Sequence, residues 1–157
     1  MPPPVLLDPL TLDFEHPVAR VPDIEAVNPH RYEFRLLDGV VHMDLERRLF
    51  AGFHEVRSDA YWVRGHIPGR PLLPGVLMIE ACAQLASYAY HAAYPERGFL
   101  GFGGADAVKF RGAVQPPARF VIVGQATELR PKRMICDMQG FVGDTMVFEG
   151  KLTGLPV

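Results

Sequence analysis

The feature that most constrains the fold is a run of twenty residues, 75–94, whose only formal charge is Glu80. Pro74 precedes the run and Pro95 follows it, which predicts one helix from about Pro74 to Tyr94, because proline suits a helix start and cannot continue a helix. The run is long enough to span a membrane, but Glu80 would be costly in lipid and no basic cluster flanks it. A helix that is apolar on all sides also suits the centre of a domain, wrapped by a sheet. We therefore expect a central helix and no membrane span.

Strand-like segments surround this helix along the chain. Val41, Met43 and Leu45 alternate with polar residues, a period typical of a half-buried strand. The further predicted strands are Val56–Val63, Ala107–Val114, Phe120–Leu129, Met134–Val142 and Met146–Thr153, with Gly98–Gly104 as a connector and Gly143-Asp144 as a hairpin turn. One long buried helix with an antiparallel sheet around it predicts an α+β fold.

Length and composition narrow the organisation and exclude several functions. The 157 residues fit a single domain. Prolines recur in residues 1–22, which we interpret as an N-terminal extension before one domain at 23–157. The net charge of −2 gives no general attraction to nucleic acid or to an anionic membrane. Cys82 and Cys136 stand in apolar contexts without zinc-ligand spacing, so we expect reduced cysteines in a cytoplasmic protein and no metal.

The candidate catalytic residues lie in the segment 65–84. Gly65, Pro68 and Gly69 frame His66 in a stiff loop, and an imidazole that titrates near neutrality is suited to proton transfer. The alternative is a loop histidine that only bonds a backbone carbonyl.

Glu80 is the one carboxylate in the apolar helix. Desolvation would raise its pKa, and a carboxyl group that stays protonated can donate a proton to a leaving group. The alternative is pairing with an arginine elsewhere in the chain. Gln84 lies one turn later on the same face and is placed to hydrogen-bond the carboxyl.

The start of the helix offers a third element of a site. The N–H groups of Gly75 and Val76 have no intrahelical partner, and they lie at the positive end of the helix dipole. Such donors favour the binding of an oxyanion.

Trp62 either lines a pocket or packs in the core. The remaining histidines are interpreted as surface or core residues: His16, His30, His42, His54 and His91. No nucleotide-binding glycine pattern and no nucleophile elbow occur, so no cofactor is expected.

Together these segments resemble the 3-hydroxyacyl-acyl-carrier-protein dehydratases of FabZ type. The block Gly65–Gln84 carries the most specific part of the resemblance, and the segments 29–38, 108–111 and 114–116 are similar to flanking motifs of that family. The resemblance implies a hotdog fold, which is a long helix wrapped by a curved antiparallel sheet. It also implies a homodimer with two tunnels at its interface, often assembled as a trimer of dimers.

The resemblance further implies a role for each site residue. His66 of one subunit removes the C2 proton, and Glu80 of the other protonates or orients the departing 3-hydroxyl. The Gly75 N–H, with that of Val76, binds the thioester oxygen, and Gln84 steadies Glu80. Sister enzymes of FabA type, which also isomerise, usually carry Asp at the Glu80 position, so Glu80 favours simple dehydration.

Several positions depart from the family pattern. Ile67 stands where a Phe is usual, residues 59–63 and 116–118 differ from the usual motifs, and the extension is longer. Ile67 and Trp62 are therefore candidates for setting the width of the substrate tunnel. The expected partner is an acidic acyl carrier protein, which requires basic residues near the tunnel mouth. The candidates are Arg64, Arg70, Lys109, Arg111, Lys132 and Arg133.

Two alternative functions remain open at the level of sequence. A hotdog thioesterase would hydrolyse the thioester, but such enzymes usually place their carboxylate without the Gly-His-x-Pro-Gly loop that contains His66. A non-catalytic acyl-binding subunit would need neither His66 nor a buried Glu80.

Overall fold

The computed structural model describes all residues from 1 to 157 and contains one long helix and one six-stranded antiparallel sheet. Two short 3-10 turns occur at Pro9–Thr11 and Tyr32–Phe34. The elements in chain order are α1 (Val21–Glu25), β1 (Gly39–Asp44), β2 (Leu49–Val56), α2 (Gly75–Ala93), β3 (Leu100–Phe110), β4 (Ala118–Arg130), β5 (Arg133–Val142) and β6 (Thr145–Pro156).

The sheet wraps α2 in the manner of a hotdog fold. Its strand order is β1-β2-β4-β5-β6-β3, so α2 and β3 are inserted between two strands, β2 and β4, that are neighbours in the sheet. The main hydrophobic core fills the space between α2 and the inner face of the sheet, with Leu85 and Tyr90 of α2 packed with Phe120 and Phe148 of the strands. The predicted α+β architecture is confirmed.

Helix α2 starts and ends within one residue of the predicted bounds. Most of its surface is buried, yet four polar residues follow one another at helical spacing: Glu80, Gln84, Ser87 and His91. Residues three and four apart share a face of a helix, so these side chains form a polar stripe on an otherwise apolar element. No helix of the structure has the length and apolar character that a membrane crossing requires.

Two predicted segments were wrong. The strand expected at Val56–Val63 does not form. Strand β2 ends at Val56, which is the last residue to pair with β4 and lies opposite Ala118. The residues that follow form turns. The glycine-rich stretch Gly98–Gly104, expected as a connector, instead forms the first half of β3 against β6. A Cβ on Gly101 would lie 3.2 Å from the Leu155 carbonyl oxygen, which is tight, so glycine allows β6 to lie close to β3 here.

The first residues of the chain lie across the outer face of the sheet. The Leu6 N–H donates to Gln139 Oε1 at 2.9 Å, and Gln139 Nε2 donates to the Pro4 carbonyl at 2.9 Å. Leu7, Leu12 and Phe14 pack against the apolar residues of this face. Those residues are Val41, Ala51, Val121, Val123 and Phe141. The extension thus covers a surface that would otherwise be exposed to water.

Both cysteines are free and buried. Burial raises the pKa of the Cys82 thiol well above its usual range, and burial raises that of Cys136 to about 12. They are core residues that form no disulfide, as the sequence predicts.

Candidate active site

Glu80 lies in the second turn of α2 and borders a cavity of about 180 Å³ between α2 and strands β3, β5 and β6. Most of the cavity wall is apolar, and its lining includes Ala83, Ala86, Leu100, Phe102, Met134 and Leu152. The titratable groups that line it are Glu80, His30 and Cys136. The Glu80 side chain is 27 % exposed and has polar neighbours, so its surroundings are less apolar than the sequence predicts.

Gln84 fixes the orientation of the Glu80 carboxyl. Its Nε2 donates to Glu80 Oε1 at 3.0 Å and to the Phe34 carbonyl at 2.8 Å. Its Oε1 accepts the Leu36 N–H at 2.9 Å and the Leu37 N–H at 3.1 Å. Both donors and both acceptor positions of the amide are therefore used, and the amide cannot flip without breaking all four bonds. An N–H, and not an oxygen, faces Glu80.

A second buried amide extends this network along the polar stripe of α2. Asn28 Nδ2 donates to the backbone carbonyl of Gln84 at 2.9 Å, and Ser87 Oγ donates to Asn28 Oδ1 at 3.1 Å. Together with the Gln84 bonds to Phe34, Leu36 and Leu37, these bonds attach the segment 28–37 to α2 at both of its ends. The attachment brings His30 alongside Glu80.

His30 is the site residue that sequence reasoning missed. Its Nε2 lies 3.6 Å from Glu80 Oε1, and its ring lies between Phe34 and Phe99, with centroid distances of 6.4 and 6.0 Å. Burial lowers the pKa of His30, Glu80 opposes this shift, and Arg31 adds to it. The one local signal is that His30 lies in segment 29–38, which resembles a flanking motif of FabZ-type dehydratases; its contact with Glu80 could not be predicted, because Glu80 is fifty residues away.

The loop between β2 and α2 holds His66 in a defined orientation. The backbone N–H of His66 donates to the Trp62 carbonyl at 2.9 Å, and the ring Nδ1 of His66 lies 3.0 Å from the Leu72 carbonyl oxygen. A carbonyl only accepts, so Nδ1 carries the proton and the exposed Nε2 of the neutral ring keeps a free lone pair. Gly69 has a φ of +81°, which glycine adopts without strain, and this turn returns the loop towards α2.

A single chain does not bring His66 and Glu80 together. His66 is exposed and is not among the residues that line the cavity beside Glu80. Trp62 is 6 % exposed and packs in the main core, outside that cavity, and Ile67 is partly buried next to His66. Within one chain, the cavity beside Glu80 therefore does not include His66.

The start of α2 has the free donors that the sequence predicts. No backbone bond of the turns, loops and caps uses the N–H of Gly75 or of Val76, whereas the Leu77 N–H donates to Pro74. A Cβ on Gly75 would lie 2.8 Å from the Phe110 ring, so glycine allows this ring to approach the helix end.

A long central helix wrapped by an antiparallel sheet defines a hotdog protein, and here a carboxylate borders a mainly apolar cavity between the two. The chain belongs to the FabA-like family, since the model of the FabA-like domain matches residues 28–151.

Similar proteins of known sequence are FabZ-type dehydratases. The chain is 32 % identical over 133 residues to a 3-hydroxyacyl-acyl-carrier-protein dehydratase FabZ of Clostridioides difficile, with 84 % of this chain and 93 % of that one covered. It is 35 % identical over 130 residues to FabZ of Moorella thermoacetica, with 82 % and 90 % covered.

Solved structures agree on the fold. A subunit of the dehydratase heterocomplex ApeI:P from Xenorhabdus doucetiae matches with a TM-score of 0.71 at 17 % identity, covering 85 % of this chain and 90 % of that one. A mutant thioesterase from Pseudomonas aeruginosa matches with a TM-score of 0.66 at 16 % identity, covering 89 % and 96 %. The predicted membership of the FabA/FabZ hotdog family is confirmed.

Proposed function

We propose that this chain dehydrates 3-hydroxyacyl thioesters, carried on acyl carrier protein, to trans-2-enoyl thioesters. The observation that carries the proposal is the Glu80 carboxyl, which a fully bonded Gln84 amide orients at an apolar cavity. The relatives that are a third identical over most of the chain bear the name of this activity.

The geometry around Glu80 suits proton donation. Its Oε1 accepts a bond from Gln84, whereas its Oε2 accepts none within the chain, so a proton on Oε2 is available to a substrate. In the proposed reaction, Glu80 gives this proton to the 3-hydroxyl and the C3–O bond breaks to release water. His66 Nε2 removes the C2 proton, and the electron pair of that bond forms the double bond. The N–H groups of Gly75 and Val76 hold the thioester oxygen while it carries negative charge.

The site requires a homodimer in this proposal. Strand β3 is an edge of the sheet and pairs only with β6, and its residues Phe102 and Phe110 are more than half exposed. An edge strand with exposed aromatic residues is a surface that a second copy can cover by strand pairing. Such pairing would bring His66 of the partner subunit towards Glu80 of this chain. A trimer of dimers is compatible with the same pairing.

The β4–β5 hairpin provides a basic surface for the acidic carrier. Arg97, Arg130, Lys132 and Arg133 cluster around Pro131, next to the cavity residue Met134. Glu128 pairs with Arg130 and Arg133, while Arg97 and Lys132 have no carboxylate partner. The excess positive charge is suited to steering an acidic protein to the cavity.

The test measures enoyl product and free thiol by mass spectrometry on a chain-length series of 3-hydroxyacyl carrier proteins. We expect enoyl product from the natural chain, loss of product in His66→Ala and in Glu80→Ala, and full activity in the control His16→Ala, whose side chain is 80 % exposed. Free thiol without enoyl product would identify a thioesterase. No product until a different hotdog subunit is added would indicate a heterodimer, like the heterocomplex among the structural neighbours.

Mixing the two inactive variants tests whether the site is shared. Random exchange of His66→Ala and Glu80→Ala subunits makes half of the dimers mixed, each with one intact site of two, so about a quarter of the natural activity returns. No recovery in an exchanged mixture would contradict the shared site.

A further inference from the structure

Two side-chain nitrogens converge on one oxygen of Glu80. Gln84 Nε2 lies 3.0 Å and His30 Nε2 lies 3.6 Å from Oε1. His30 Nδ1 is buried and has no hydrogen-bond partner. Since only Nε2 has an acceptor within reach, the single proton of the neutral imidazole is more stable on Nε2, where it points at Glu80.

We propose that His30 is a positioning residue for Glu80, which directs the acidic proton to Oε2 and stabilises the carboxylate that remains after this proton has left. The inference rests on the proposed dehydration. With two N–H groups facing Oε1, a proton on that oxygen would oppose both donors, so the acid form carries its proton on Oε2. At 3.6 Å the His30 contact is longer than a hydrogen bond, and it tightens when Glu80 becomes negatively charged, because an ionised acceptor attracts the N–H more strongly.

The charges around His30 favour this role. On α2 the facing acid is Glu80, and on β5 the titratable group of the cavity is the protonated Cys136 thiol. On its own segment Arg31 is bonded to the carbonyls of Asn28, His30 and Glu25. The aromatic rings on either side are uncharged. Because burial lowers the pKa of His30, the ring is neutral at neutral pH and acts as a donor without competing with Glu80 as an acid.

Three substitutions separate positioning from packing. In His30→Gln the amide nitrogen reaches the place of Nε2, in His30→Asn it reaches only the place of Nδ1, and in His30→Phe the ring is kept without a donor. We expect His30→Gln to keep kcat within about 3-fold, and the other two to lose about 10- to 100-fold in kcat with KM changed less than about 3-fold.

A residue that served only to pack between Phe34 and Phe99 would give the reverse order, with His30→Phe active and His30→Gln impaired. That order, in an enzyme whose natural chain is active, overturns the inference and leaves the dehydratase proposal intact. A natural chain that makes no enoyl product would instead overturn the proposed function.

A spectroscopic measurement covers the case in which the His30 variants fail to fold. We would titrate the His30 ring by NMR in the natural dimer and in Glu80→Gln. The Glu80 carboxylate raises the pKa of His30, so the substitution is expected to lower it further. An unchanged pKa together with unchanged chemical shifts of the His30 ring nitrogens would show that the two groups do not interact and would overturn the inference.

Discussion

Replacing Gln84 by leucine removes the network that holds the site, and the structure allows the cost to be estimated. Gln84 is 1 % exposed, and leucine fills a similar volume, so no large cavity forms. The Leu36 and Leu37 N–H groups lose their acceptor inside the core. A buried donor without a partner costs about 1–3 kcal/mol, so Gln84→Leu should lower the free energy of unfolding by about 2–6 kcal/mol. With an m-value of about 2 kcal/mol/M, this corresponds to a urea midpoint lower by on the order of 1–3 M.

Gln139→Leu is the matched control for this substitution. Gln139 is also a buried glutamine, but its bonds go to Leu6 and Pro4 of the extension, whose backbone can move and bond to water. We expect a loss of about 1 kcal/mol and an unchanged kcat. Both variants are compared by urea unfolding at one protein concentration, because unfolding of the proposed dimer would depend on concentration. A loss in Gln84→Leu below about 1 kcal/mol, or no larger than that in Gln139→Leu, would refute the reasoning.

Two further substitutions test the helix start and the acid stability of the fold. Gly75→Ala should reduce kcat/KM by about 10- to 100-fold in a steady-state assay, because the new methyl group collides with the Phe110 ring beside the free N–H groups; unchanged kinetics would show that these donors do not hold the substrate. Burial alone would raise the pKa of Asp38, but hydrogen bonds from His54, Glu55 and Arg35 lower it below its usual value. Asp38 therefore stabilises the fold above the ordinary carboxyl pKa of about 3.9, and this contribution is lost as the pH falls through the lower folded value. In thermal melts from pH 6 to about 2.5, Asp38→Asn should show a smaller acid-induced drop in Tm than the natural chain, and parallel curves would contradict this.

The elements of the fold that follow from local patterns could be predicted from the sequence. The start of α2 follows from Pro74, and the β5–β6 hairpin follows from Gly143, whose φ is +60°. The register of β2 could not be predicted, because strand Leu49–Val56 is specified by its pairing with β4, some seventy residues later. The glycine-rich start of β3 has the composition of a loop, and it forms a strand because β6 packs closely against it.

The site residues also divide into those that the local sequence reveals and one that it does not. His66 and Glu80 stand out because each contradicts its local context, a base in a stiff loop and a carboxylate in an apolar helix. His30 contradicts nothing nearby, and it becomes a site residue only because Asn28 and Gln84 attach its segment to α2. Sequence reasoning therefore finds groups that are locally costly, and it misses groups whose position depends on bonds between distant segments.

Strand β3 is the edge of the sheet that the chain itself leaves uncovered. A sheet has two faces and two edges, and each exposes apolar area or unpaired backbone groups. Helix α2 covers the inner face, and the extension covers the outer face. At the β1 edge, Ala19 pairs with Val40 by two backbone bonds. Strand β3 has no such cover along its eleven residues, and it borders the cavity that contains Glu80. Pairing through β3 would therefore cover the longest open edge of the sheet and bring a second chain to the cavity in the same step, so that the proposed dimer and the completion of its site would have one physical cause.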